Sequence, residues 1–134
     1  MKFDGLSFRG RINRAKYWRI KIGLFFANFF YHIWVATQFG HSSLHQPPTK
    51  TGEWILIGGL VCVTLISLWV SIATDVKRFH DLDKSGRWVW IVLIPVVGMA
   101  WLLIECGFQP GTAGPNRFGP DPLANKSGSA VSTA

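Results

Sequence analysis

The sequence has little negative charge and few cysteines. Seven Asp and Glu residues stand against fourteen Lys and Arg residues, and Cys62 and Cys106 are the only cysteines among 134 residues. Two distant cysteines without a C-x-x-C pair indicate neither a disulfide framework nor a zinc site. The sequence also lacks a glycine-rich phosphate loop, a dinucleotide-binding fingerprint and an internal repeat. It therefore indicates no cofactor.

Charge is nearly absent from three long runs, residues 20–39, 54–74 and 88–106. Each run would be roughly 30 Å long as a helix, close to the thickness of the hydrocarbon core of a bilayer. The middle run contains no charged residue at all, and in lipid only a helix can satisfy the backbone polar groups of such a segment internally. The sequence therefore predicts an all-α membrane protein, a small bundle of three transmembrane helices.

The predicted domain organisation is simple. Residues 1–122 form a single integral membrane domain, and residues 123–134, which are small, polar and aperiodic, form a disordered tail. The first apolar run is expected to be retained rather than cleaved as a signal peptide, because it is too long and no cleavage site follows it.

The basic residues lie beside the apolar runs. Seven occur in residues 1–21, one in 40–53, four in 75–87 and two after residue 106. Positive charge accumulates on the cytoplasmic flanks of membrane helices, so the N-terminus is predicted to be cytoplasmic. This distribution favours a membrane surface over nucleic acid as the partner.

The N-terminal segment combines apolar and basic residues. The apolar positions at helical spacing are Phe8, Ile12, Ala15, Trp18 and Ile22. Together with Arg9, Arg11 and Arg14 this pattern predicts an amphipathic interfacial segment that runs into the first membrane helix. Tyr17 and Trp18 are expected at the level of the lipid headgroups. Basic residues near an anionic leaflet each contribute about 1 kcal/mol of attraction. The preferred interpretation of this segment is a topological anchor on the cytoplasmic side, and the alternative is a specific lipid or partner site.

The stretch "DVKRFHDLDKSGRW" (75–88) is a polar connection between the second and third runs. Ser85 and Gly86 suit the start of the next helix. His80 and Asp81 could in principle perform acid–base chemistry, but no nucleophile in a recognisable context and no further metal ligand accompany them. We therefore expect no catalytic residue and no enzyme, and interpret the stretch as a polar cluster that fixes the helix ends.

Three segments resemble the signatures of one bacterial family. They are "FRGRINRAKYW" (8–18), "KRFHDLDKSGRW" (77–88) and "PGTAGPNRFGPDP" (110–122), and they resemble the inner-membrane family known as domain of unknown function 805. The resemblance implies a multi-pass protein of the bacterial inner membrane whose biochemistry is unassigned. In the third segment, Asn116, Arg117 and Phe118 are the residues expected to make specific contacts.

The leading hypothesis is a non-enzymatic protein whose basic cytoplasmic edge contacts anionic lipid, a partner protein or another copy of the chain. The candidate contact residues are Arg9, Arg11, Arg14, Tyr17, Trp18, Lys77, Arg78, His80, Asp81, Asn116 and Arg117. The alternative is an oligomeric small transporter or channel subunit that uses Asn28, His32 and Glu105 inside a bundle. His41 and His45 have metal-ligand spacing, but a solvated loop is the preferred interpretation.

The topology of the third run decides whether the three family-like segments can meet. A full span places residues 110–122 on the opposite side of the membrane from the other two segments. A break at Pro95 and Gly98 would instead give a re-entrant hairpin with arms of roughly 10–12 Å. The uninterrupted apolar length favours the full span, with the C-terminus outside.

Overall fold

Two long helices form the body of the protein. The computed structural model describes residues 6–39 and 51–124, and within them α1 spans Arg14–Phe39 and α2 spans Thr51–Asp81. The two helices pack side by side. Over Arg14–Gln38 and Trp54–Asp81 they are long and apolar enough to cross a membrane. The described residues form helices and no strand, which agrees with the predicted helical class.

The third apolar run is not a long helix. It forms a 3₁₀ helix at Gly86–Leu93, then α3 at Val97–Leu102, which continues as a π-helical segment at Leu103–Phe108. The 3₁₀ helix packs on both α3 and α2. Residues 86–108 are called the hairpin below. The prediction of a third full-length transmembrane helix is therefore not confirmed, and the chain turns back instead.

The turn of the hairpin has a local chemical cause. Pro95 has no backbone N–H and disfavours a helical conformation at Ile94, which is extended. The N–H of Val97 donates to the Pro95 carbonyl oxygen at 2.7 Å, and Val96 between them has a φ of 63°, the pattern of a γ-turn. A side chain at Gly98 would overlap the Ile91 carbonyl. Pro95 and Gly98 thus allow the two arms to cross closely.

The segment before α1 is not helical. Residues 7–13 contain no helix, Gly10 has a φ of 89°, and the Asn13 side chain accepts from the Lys16 N–H at 2.9 Å, as an N-cap does. The predicted helical periodicity beginning at Phe8 is wrong for this reason. The Phe8 ring instead packs on that of Trp69, with centroids 5.0 Å apart.

The protein core is small and lies at one end of the helix pair. Its buried residues are Ile12, Tyr17, Val76, Phe79, Val89, Leu102 and Cys106. They come from the N-terminal segment, both long helices and both arms of the hairpin. The predicted disordered tail at 123–134 lies largely outside the described residues, which end at Ala124.

Candidate functional site

The three family-like segments meet at the C-terminal end of α2. Arg11 from the first segment contacts Asp81 from the second, and it also contacts Thr112 and Gly114 from the third. The expectation that the third segment lies across the membrane from the others is wrong, because these contacts are direct. We call residues 6–13, 78–85 and 109–124 together the cap.

Asp81 is the centre of the cap. Its Oδ1 lies 3.1 Å from both Nε and Nη2 of Arg11, and its Oδ2 accepts from Nη1 of Arg78. The side chains of Asp81, Arg11 and Arg78 are 5%, 1% and 0% exposed. Buried charges persist in proteins only when they are paired and hydrogen-bonded. The carboxylate is therefore what allows two guanidinium groups to be buried here.

The two buried arginines also bind backbone carbonyl groups. Arg11 donates to the carbonyl oxygens of Thr112 at 2.6 Å and Gly114 at 2.7 Å. Arg78 donates to the carbonyl oxygen of Cys106 at 2.8 Å and to that of Gln109. A guanidinium group offers five N–H donors in one plane, so one side chain can hold several carbonyls of an irregular segment at once.

The third segment in turn caps α2. The last carbonyl groups of a helix have no partner within the helix. Here Thr112 donates to the Asp81 carbonyl oxygen through its N–H and its hydroxyl, at 2.8 Å and 3.0 Å. The Asn116 amide donates to the His80 carbonyl oxygen at 2.9 Å, and Arg117 donates to that of Asp83 at 2.7 Å. Asn116 and Arg117 thus make specific contacts, but within the protein: Asn116 with the end of α2 and Arg117 with Asp83 just beyond it.

His80 and Asp81 are adjacent in the sequence but contact different groups. Its ring stacks on Phe118 with the centroids 3.9 Å apart and the planes 6° apart, and its Nδ1 lies 3.3 Å from the Gly10 carbonyl oxygen. The Asp81 carboxylate meanwhile faces Arg11 and Arg78. The two adjacent residues therefore do not form an acid–base dyad.

A second ion pair joins the hairpin to the end of α2. Lys84 pairs with Glu105, whose other carboxylate oxygen accepts from the Gln109 side chain at 2.9 Å. The Glu105 side chain is 8% exposed. Glu105, which the transporter hypothesis placed inside a bundle, thus binds the cap.

Asp121 lies at the solvent edge of the cap. Its carboxylate accepts from the N–H groups of Gly114 and Leu123, at 3.0 Å and 2.8 Å. These hydrogen bonds, that of Leu123 first, favour the charged form and hold the pKa of Asp121 below its ordinary value. The carboxylate thereby fixes the turn that returns the chain to Arg11.

The candidate contact residues fall into two groups. Those whose side chains are buried are Arg11, Tyr17, Lys77, Arg78 and Asp81. Arg9, Arg14 and Arg117 are exposed, and Trp18, His80 and Asn116 are half-buried. The buried group presents almost no surface to a lipid or a partner, so that prediction now rests on the exposed residues. Lys16, Arg19 and Arg87 are also exposed and were not among the candidates.

The polar contacts that Lys21 and Asn28 make between α1 and α2 were not predicted. Lys21 Nζ lies 2.8 Å from Asp75 Oδ2 and 2.6 Å from the Ser71 hydroxyl. About two turns further along α1, the Asn28 amide donates to the Ser67 hydroxyl at 2.9 Å. The signal available in the sequence was the occurrence of single polar residues in helices that are otherwise apolar.

The described residues offer no metal centre. In residues 6–39 and 51–124, no group of three or more His, Cys, Asp or Glu side chains is arranged to hold an ion. His41 and His45, the pair with metal-ligand spacing, lie outside these ranges.

Comparison with known proteins places the chain in a family. The family described as "Protein of unknown function (DUF805)" matches residues 5–120. "Inner membrane protein YhaH" of Escherichia coli (strain K12) is 35% identical over 121 residues, which are 87% of this chain and 88% of that protein. "Uncharacterized protein YiiR" of the same strain is 28% identical over 139 residues, 86% of this chain and 85% of that one. No solved structure matches the chain. The protein therefore belongs to the DUF805 family, whose named relatives include inner-membrane proteins.

Proposed function

We propose that the protein is a non-enzymatic, multi-pass protein of the inner membrane that binds anionic lipid headgroups through the exposed basic residues around its cap. In this proposal α1 and α2 cross the membrane, the hairpin re-enters it from the cytoplasmic side, and the cap lies in the cytoplasm. The observation that carries the proposed topology is the contact of Arg11 with Asp81 and Gly114, because it requires all three segments to lie on one side. The exposed Arg9, Lys16 and Arg19 near the cap support the lipid contact.

The charge distribution supports this arrangement. All eleven Lys and Arg residues in the described part of the chain lie in residues 6–21, 75–87 and 107–124, the segments that contain the cap and its flanks. Such a concentration is typical of the cytoplasmic side.

The dimensions of the hairpin also support it. At about 2.0 Å per residue, the 3₁₀ helix Gly86–Leu93 is about 16 Å long. At about 1.5 Å per residue, the second arm, Val97–Phe108, is about 18 Å long. Both are far shorter than a hydrocarbon core of about 30 Å. Leu93 and Val96 at the turn are 70% and 79% exposed, which suits a tip that is embedded in lipid.

A cysteine-accessibility experiment tests the topology. Ala113→Cys in the cap and Gln38→Cys at the far end of α1, both exposed positions, are each made in a variant that carries Cys62→Ser and Cys106→Ala. A membrane-impermeant maleimide should label Gln38→Cys in intact cells, and Ala113→Cys only after the inner membrane is opened. Labelling of Ala113→Cys in intact cells would overturn the topology.

A second experiment tests the proposed binding of anionic lipid. Exposed Arg9, Lys16 and Arg19 are changed to Gln, and the preference for phosphatidylglycerol over phosphatidylcholine is measured by lipid exchange into nanodiscs. Each neutralisation should weaken the preference by about fivefold, which corresponds to about 1 kcal/mol.

The matched control for the lipid experiment keeps the charge. A variant with Arg9→Lys and Arg19→Lys should retain the preference, because attraction to an anionic leaflet depends on charge and not on guanidinium geometry. An unchanged preference in the Gln variant would exclude the basic residues as the lipid site. Loss of the preference in the Lys variant would instead indicate a geometric clamp, as a protein partner uses.

A further inference from the structure

A groove runs along α1 and α2 from the hairpin to His32. It consists of a cavity of about 310 Å³ next to the hairpin and a second, laterally open cavity of about 540 Å³ between the two long helices. Both cavities are lined by Lys21 and Ser71, so they adjoin one another. We call this the α1–α2 groove.

The nitrogen donors of the groove and the Thr64 hydroxyl are already used. The Lys21 ammonium group donates to Ser71 and Asp75. The Asn28 amide donates to the Leu24 carbonyl oxygen at 2.8 Å and to Ser67. The Thr64 hydroxyl donates to the carbonyl oxygen of its own helix four residues earlier, at 2.8 Å.

The acceptors of the groove are not all used. His32 Nδ1 lies 2.7 Å from the Asn28 carbonyl oxygen. That oxygen can only accept, so Nδ1 carries a proton, and in the tautomer that has its one proton on Nδ1 the Nε2 atom is an acceptor. Within residues 6–39 and 51–124, neither His32 Nε2 nor Asn28 Oδ1 has a hydrogen-bond partner. Asp75 Oδ1, on a residue that is 5% exposed, is buried without a partner.

The other side chains of the groove indicate the charge and polarity of a complementary ligand. Lys21 and Asp75 neutralise each other, and burying a further net charge within a membrane is costly. Leu24, Phe25 and Phe29 supply an apolar lining. A second copy of the chain would bring the same acceptors, and a phosphate or carboxylate group would bring further acceptors together with charge. The complementary molecule is apolar and uncharged, and it donates a hydrogen bond.

We propose that the α1–α2 groove binds a neutral lipophilic alcohol, whose hydroxyl group donates to Asn28 Oδ1 or His32 Nε2. The inference rests on the proposed membrane-spanning arrangement of α1 and α2, because the groove is then open to the lipid from which such a molecule enters. In that arrangement the two acceptors lie in a groove that opens to lipid, where no water donates to them, so leaving them unpaired costs free energy that one donor removes.

The test compares two ligands with the same dodecyl chain and the same oxygen, of which one carries an O–H donor and the other a methyl group in place of that hydrogen. The full-length protein in nanodiscs is titrated with dodecanol and with dodecyl methyl ether at matched mole fractions in the bilayer, and the shift of the melting temperature gives the affinity. One hydrogen bond should make the alcohol bind about fivefold more tightly than the ether.

Two variants locate the site. His32→Leu together with Asn28→Leu should abolish the preference for the alcohol, and His32→Leu alone should reduce it without the loss of the Asn28–Ser67 contact. Thr37→Val is the matched control: Thr37 is a polar, exposed residue of α1 that does not line the groove, so the preference should persist. Diacylglycerol and a polyprenol, added as competitors of dodecanol, distinguish two natural sources of the hydroxyl group.

Three results would overturn the proposal. They are equal affinities for the alcohol and the ether, a preference that survives in the double Leu variant, and a change of oligomeric state on His32→Leu, which would show that the groove is a protein interface. The cysteine-labelling experiment is independent of these measurements. A failed topology and a failed ligand site are therefore distinguishable.

Discussion

The two ends of α2 lie in opposite environments although they belong to one helix. Every residue from Ala73 to Phe79 is buried, whereas no residue from Trp54 to Trp69 is. Leu65 and Trp69 are 59% and 50% exposed. The buried stretch from Ala73 to Phe79 packs against side chains of α1, the hairpin and the cap. The exposed stretch from Trp54 to Trp69 presents its side chains to the lipid that we propose surrounds it.

The two stretches of α2 therefore have different roles: the buried one determines how the helices associate, and the exposed one makes the protein compatible with lipid. In a bilayer, apolar side chains gain little by leaving lipid for protein, so packing and hydrogen bonds determine which helices associate. The cap supplies such bonds through Asp81 and the two arginines, and only a few polar contacts occur between α1 and α2 beyond it. The cap should therefore be sensitive to substitution, and the outer half of α2 should tolerate apolar exchanges.

The largest expected effect is that of Asp81→Asn. The substitution removes the only carboxylate that Arg11 and Arg78 share in the described structure, and breaking a buried pair costs about 3–5 kcal/mol of the free energy of unfolding. Thermal unfolding in detergent micelles measures the loss.

Asp83→Asn is the matched control for Asp81→Asn. Asp83 pairs with Arg117 at the surface, where the side chains are 48% and 60% exposed, and such pairs contribute at most about 1 kcal/mol. Leu65→Ala samples the outer half of α2 and should have a smaller effect than Asp81→Asn. Equal losses for the Asp81 and Asp83 variants would remove the distinction between the buried and the exposed part of the cap.

A smaller effect is expected for Gly98→Ala in the hairpin. The added methyl group would overlap the Ile91 carbonyl, and overpacking of this kind costs about 1–3 kcal/mol. Gly23→Ala in α1 is the control, because nothing lies within 4 Å of the added carbon, and replacing Gly by Ala within a helix stabilises it by about 1 kcal/mol. The two substitutions should shift the unfolding midpoint in opposite directions. A stabilised Gly98→Ala variant would contradict the crossing of the arms.

The long helices could be predicted from the sequence because length and hydropathy are local properties. The hairpin could not be predicted in the same way, since a span and a re-entrant segment present the same apolar residues to the lipid. Pro95 and Gly98 were the informative positions. Their effect becomes evident only when the contact between Gly98 and the Ile91 carbonyl is known.

The sequence identified the residues that form the cap, but it did not predict how these residues contact one another. Arg11 and Arg78 have the sequence context of ordinary flanking charges, and nothing local distinguishes a buried arginine from an exposed one. Their partners are carbonyl groups of irregular backbone, such as Gly114, 103 positions from Arg11. The basic residues lie at the end of the helices where the cap forms, but the charge rule could not show that part of this charge is internal.

The smallest expected effect on stability is that of Asp121→Asn. This substitution tests whether electrostatic stabilisation of the cap extends to its solvent edge. Hydrogen bonds from Leu123 and Gly114 hold the pKa of Asp121 below its ordinary value, which is about 3.9 in an unfolded chain. A group whose pKa is lowered by folding contributes stability above its unfolded pKa, and this contribution is lost as the pH falls through the folded pKa. Asp121→Asn should therefore be slightly less stable than the parent at neutral pH, and the difference should vanish in strong acid. Because other carboxyl groups titrate in the same range, the quantity to measure is the difference between the two unfolding midpoints as a function of pH. A difference that stays constant from neutral pH into strong acid would mean that Asp121 acts through its shape and not through its charge, and that the electrostatic stabilisation of the cap ends at the buried Asp81.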